Sequence, residues 1–189
     1  DVTGIASAIR RACSQADRAL PTSAVVLGAR ATASSALAAL GELDIVTSTV
    51  AARRFGGPGS VVAASSRLGI SIEQVLWSDR GAVLRAVSGA DLVISTLPAG
   101  VADSLAEEMT VREGQVLLDV VYSPRETALR SAFERNGGIV AEGTDMLIFQ
   151  AAAQVQLMTG RSPKTDVMRG ALEAELTRRA RPSGGGAAS

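Results

Sequence analysis

The sequence predicts an α/β protein: a doubly wound, mainly parallel six-stranded sheet with helices on both faces. Three observations predict it. Hydrophobic residues make up 47% of the chain and aromatics only 3%, so the core must be built from Ala, Val, Leu and Ile, the palette of buried parallel strands. Short apolar runs alternate with segments of helical period along most of the chain. The first of those runs ends on a glycine and opens directly into a helical segment.

Val2 to Leu20 carries Ile5, Ile9, Cys13 and Leu20 at helical spacing, and Pro21 follows. Ala24–Leu27 is a buried strand ending on Gly28. Thr32–Leu40 is Ala-rich and helical. Thr47–Ala52 is the second strand, with Arg53 and Arg54 at its end and a Gly-rich loop over 55–59. A helix over 60–68 is closed by Gly69. Strands over 70–77, 92–95, 116–121 and 139–140 alternate with helices over 81–87, 103–108 and 126–136. Two further helices, about 146–159 and 165–179, complete the pattern. Residues 1–20 read as an N-terminal linking helix, 21–180 as the main domain, and 181–189 as a tail with nothing to bury, expected to be disordered.

Acidic and basic residues balance at 19 each, which argues against nucleic acid or an anionic membrane as partner. A single cysteine and no histidine exclude an internal disulfide and offer no metal cluster. There is no apolar run of membrane-spanning length and no signal-like start, so the expected setting is the cytoplasm.

Gly28-Ala29-Arg30-Ala31-Thr32-Ala33 stands where a Rossmann-type dinucleotide fold places its G-x-G-x-x-G/A turn. Gly28 and Ala33 fill the first and third small positions, and Arg30 fills the second. Two readings stand for Arg30. Its guanidinium reaches a phosphate, or its Cβ and stem crowd the pyrophosphate. Arg53 lies at the end of the second strand, where an acid selects NAD and an arginine selects the 2′-phosphate of NADP.

Three later segments resemble shikimate dehydrogenases. Ile94-Ser-Thr96-Leu-Pro98-Ala-Gly100 is similar to the family's "NTTPxG" segment, the loop beside the nicotinamide half of the cofactor. Leu118-Asp119-Val120-Val-Tyr122-Ser-Pro124-Arg-Glu-Thr127 resembles "DxVYxPxxT". Gly143-Thr-Asp145-Met146-Leu-Ile-Phe-Gln150-Ala151 resembles "GxGMLxxQA". Asp1-Val-Thr-Gly4 is similar to the end of "NTDxxG", so the likeness runs from Asp1 to about Leu172.

The resemblance implies NADP-dependent reduction of 3-dehydroshikimate to shikimate in aromatic amino-acid biosynthesis. It places Asp1 as half of a catalytic Lys/Asp pair that also binds substrate, with Tyr122 and Gln150 beside the substrate. Gly28, Ala29, Arg30, Ala31, Arg53, Thr96, Pro98, Val120 and Gly143 fall on the cofactor. It also implies a substrate domain, with the catalytic lysine, ahead of Asp1; this sequence lacks it, and the chain alone is expected not to turn over shikimate. A homodimer is left open. Asp145 replaces a family glycine and is expected to put a carboxylate near the nicotinamide. With Arg30, it keeps a competing reading alive, a catalytically degenerate binding or regulatory module.

Overall fold

The computed structural model describes residues 1–57, 59–123 and 126–180, with no account of the Ala180 side chain. The tail over 181–189, expected from sequence to be disordered, lies outside the described residues, as do Pro58, Pro124 and Arg125.

Six strands, β1 (Ala24–Leu27), β2 (Thr47–Ala52), β3 (Ser71–Leu76), β4 (Leu92–Ser95), β5 (Val116–Asp119) and β6 (Ile139–Ala141), form one sheet in the order β3-β2-β1-β4-β5-β6. Every pairing is parallel. Among the described residues eight helices accompany them: α1 (Val2–Gln15), α2 (Ala31–Glu42), α3 (Val61–Leu68), α4 (Arg80–Gly89), α5 (Asp103–Glu108), α6 (Ala128–Arg135), α7 (Gly143–Thr159) and α8 (Thr165–Ala180).

The strands alternate their side chains between two cores. Ala24, Val26, Leu92, Ile94, Val116 and Leu118 face α1, α2, α3 and the start of α7. Val25, Leu27, Val93 and Leu117 face α4, α5 and α6, where Phe133 is fully buried. Because both faces are covered, β1, β4 and β5 are buried at every position, and no polar/apolar alternation exists to be read. Each fully buried Leu or Ile contributes about 1.5–3 kcal/mol relative to leaving it exposed.

Several boundaries differ from the sequence expectation for local reasons. The first helix stops at Gln15, not Leu20, because Asp17 takes a left-handed φ of 51° and turns the chain. Its Ile5, Ile9 and Cys13 lie in the same core as the sheet. The fifth strand ends at Asp119, two residues early, where the Asp119 carboxylate accepts the Val121 N–H at 3.2 Å and bends the backbone. The sixth helix starts at Ala128, since Thr127 caps it by accepting the Arg130 N–H at 3.2 Å. The seventh begins at Gly143, three residues ahead of expectation. A Cβ there would sit 2.8 Å from the Asp119 carbonyl, so only glycine lets the helix start this close to β5.

Candidate functional site

Strand order reverses between β1 and β4, which carry their connections to opposite faces of the sheet. That reversal opens a crevice at the carboxyl ends of the strands. Here it holds a cleft of about 650 Å³.

The turn after β1 forms its floor. Gly28 takes a φ of +110°, and its N–H donates to the Ala51 carbonyl at 2.9 Å. Thr96 closes over it from the end of β4, its hydroxyl donating to the Leu27 carbonyl at 2.8 Å. A Cβ on Gly28 would collide with Thr96 Oγ1, so both the conformation and the space demand glycine. Arg30 caps α2 in an ordinary extended conformation (φ −96°, ψ −166°) with no side-chain cap bond. No glycine is needed at that position. The first N–H groups of α2 and its positive dipole end point the same way.

The cleft is electrically one-sided. Arg30, Arg53 and Arg54 all line it, and among the described residues no Asp or Glu does. Among the described residues, none of the three makes a side-chain hydrogen bond or an ion pair. Uncompensated guanidinium groups beside a helix N-terminus form an anion site.

A second group of residues surrounds the start of α7. Gly143 and Tyr122 border a small depression there with Asp119 and Thr127. The Val120 N–H donates to the Ser95 carbonyl at 3.0 Å and holds the segment beside β4. Asp119 is buried, and Thr127 Oγ1 donates to its Oδ2 at 2.8 Å. Burial pushes the Asp119 carboxyl above its usual range, against the opposing pull of Thr127, the Val121 N–H and Ser95. Arg130, in a two-pronged pair with Glu142 at 2.8 Å for each contact, ties α6 to the entrance of α7. Tyr122 is exposed.

The remaining predicted residues lie where α1 crosses α7. A Cβ on Gly4 would fall 2.5 Å from the Met146 carbonyl and 3.2 Å from Gln150 Cβ, so the crossing needs glycine there. Gln150 is half-buried at this crossing, and Asp1 is exposed at the start of α1.

Asp145, expected near the nicotinamide, lines neither the cleft nor the depression beside Gly143 and Tyr122. It is 5% exposed and held between Arg11 of α1, at 3.2 Å, and Arg169 of α8. A buried carboxylate is driven to the nearest cations, and here those belong to the neighbouring helices.

Of the predicted cofactor residues, Gly28, Ala29, Arg30, Arg53, Thr96 and Pro98 meet in the cleft, while Ala31 stands exposed just outside it. Val120 and Gly143 belong to the second group. The sequence reading missed Trp77, Leu97 and Val101, which complete the cleft wall, and Arg54 as a lining residue. Trp77 was findable by the signal that marked Arg53, its position at the carboxyl end of a predicted strand.

A family model described as the Shikimate 5'-dehydrogenase C-terminal domain matches residues 143–173. A shikimate dehydrogenase (NADP(+)) of Methylocella silvestris is 33% identical over 162 residues, 84% of this chain and 55% of the relative. The corresponding protein of Methanothermobacter thermautotrophicus is 36% identical over 97 residues, 49% of this chain and 34% of the relative. The solved structure of Mycobacterium tuberculosis shikimate dehydrogenase superposes with a TM-score of 0.77 at 34% identity, covering 90% of this chain and 61% of that one. The chain therefore spans between a third and about three fifths of these relatives' lengths.

Proposed function

The chain belongs to the shikimate dehydrogenase family, and from that premise we propose that it is the NADP-binding part of an enzyme reducing 3-dehydroshikimate to shikimate, a cytoplasmic step of aromatic amino-acid biosynthesis. One observation carries the reading. The cleft at the strand-order reversal joins a glycine turn to three arginines and, among the described residues, has no lining carboxylate.

These residues fit NADP. Arg53 and Arg54, beyond β2, are placed to grip a 2′-phosphate with charge-assisted hydrogen bonds. Gly28 to Ala31 and the first turn of α2 receive the pyrophosphate. Arg30 joins them as a phosphate ligand, because its backbone needs no glycine and its exposed side chain stands at the lip of an open cleft. Thr96 and Pro98 wall the path between the two halves of the cofactor, and Val120 and Gly143 offer backbone at the far end. When bound, NADPH supplies the hydride. Tyr122 and Gln150 then orient the polyol through a hydroxyl and an amide, and Asp1 partners the lysine that protonates the forming alkoxide. That lysine and the remaining substrate contacts belong to a substrate domain, to which residues 1–20 link the dinucleotide-binding domain of residues 21–180.

A second reading, a degenerate binding or regulatory module, rests on Arg30 alone once Asp145 is paired away from the cleft. Two assays separate them. NADPH should bind the 189-residue chain saturably without supporting shikimate turnover, and fusing a family substrate domain ahead of Asp1 should bring turnover. Binding with no turnover by the fusion favours the module; turnover by the chain alone contradicts the proposal.

A further inference from the structure

The cleft has a second character besides its charge. Trp77, Leu97, Pro98 and Val101 give its lining an apolar part beside the arginines. Trp77, the chain's one tryptophan, sits directly after β3. Its backbone N–H donates to the Ala52 carbonyl at 2.9 Å, which fixes the residue beside Arg53. The residue is half-buried and packs against the core cluster that includes Val75 and Val83. One side is thus fixed by packing while the residue also faces the cleft. A half-exposed indole held this rigidly has no structural need for the open side, and an indole face is a good partner for a flat aromatic ligand.

Resting on the NADP reading, we infer that Trp77 is the stacking wall for the adenine ring. The assignment to adenine rather than nicotinamide follows from topology. A dinucleotide straddles the strand-order reversal, one half over β1, β2 and β3 and the other over β4, β5 and β6. Trp77 lies on the β3 side with Arg53, so it serves the half that bears the 2′-phosphate. Gly143 and Tyr122 lie on the other side. Aromatic stacking on a base tolerates any base, whereas the arginines select the phosphates. The wall therefore contributes affinity and the arginines contribute specificity.

The test uses the 189-residue chain with two cofactor fragments, 2′,5′-ADP and nicotinamide mononucleotide. Intrinsic tryptophan fluorescence reports Trp77 alone, and calorimetry reports binding independently. Saturable quenching by 2′,5′-ADP, with the calorimetric Kd, and no quenching by nicotinamide mononucleotide is the expected result. Trp77→Leu should weaken 2′,5′-ADP binding about tenfold, and Trp77→Phe should recover most of it. Calorimetric binding of 2′,5′-ADP without quenching, or with Trp77→Leu binding as tightly as wild type, overturns the adenine wall and leaves the arginine site standing. Absence of heat with both 2′,5′-ADP and NADPH overturns the wall and the NADP reading together. If Trp77→Leu fails to fold, the wild-type quenching result still decides.

Discussion

Two arginine clusters in this protein have opposite fates. At the corner where α1, α7 and α8 meet, Arg11 and Arg169 flank the buried Asp145, and their charge is spent on joining three helices. In the cleft, Arg30, Arg53 and Arg54 line an open volume with no carboxylate among its described lining residues. Paired charge in a buried place holds helices together. Unpaired charge at the carboxyl ends of parallel strands awaits an anion. The corner matters most to α8, none of whose described side chains is buried, so the Asp145–Arg169 pair helps fix it to the domain.

Mutations should therefore separate cleanly, the corner losing stability and the cleft losing affinity. Gly28→Ala is the largest effect because it strikes both. A Cβ at φ +110° collides with Thr96 Oγ1, and urea denaturation should show a loss of about 2–3 kcal/mol together with abolished NADPH binding. Asp145→Asn comes next. It leaves two guanidinium groups partly buried without a counter-ion. Arg11 and Arg169 keep 37% and 21% of their side-chain surface, which reduces the penalty of a fully buried pair to about 1–2 kcal/mol. NADPH affinity should not change, and a loss there would mean that the corner and the cleft are coupled.

Arg30→Gly sharpens the comparison from the other side. Removing a charged hydrogen bond to phosphate should weaken NADPH binding roughly tenfold with the unfolding midpoint unmoved. Tighter binding by the glycine variant would mean that the side chain obstructs the pyrophosphate, the other reading of this position.

The smallest effect is one of pH and lies between the two regions. Burial raises the Asp119 carboxyl above its ordinary 3.8. The folded protein then holds this proton more tightly than the unfolded chain. Its contribution is fully present below the unfolded value and is lost as pH rises through the folded one. Asp119→Asn should flatten that part of the Tm profile above about pH 4. An unchanged slope would show that another group sets it.

Much of this was legible in sequence because strand ends are. Gly28, Arg53 and Thr96 each follow an apolar run, and parallel topology brings such positions to one edge. The six strands were readable as runs for the same reason. Less legible were elements whose ends depend on side-chain bonds from elsewhere. Asp119 and Thr127 decide where β5 stops and α6 starts, and they are eight residues apart. The sequence puts Asp145 beside the nicotinamide only through its neighbours in a segment that resembles the family's "GxGMLxxQA". Its direction is set by Arg11 and Arg169, which are distant in sequence and visible only in three dimensions.

The central claim is that the cleft's unpaired arginines select a 2′-phosphorylated dinucleotide. Calorimetric titration of wild type and Arg53→Ala with NADPH and NADH tests it most directly. Wild type should prefer NADPH, and Arg53→Ala should lose roughly ten- to hundredfold in NADPH affinity with little change for NADH. Equal losses for both cofactors, or a wild type that does not distinguish them, would contradict it.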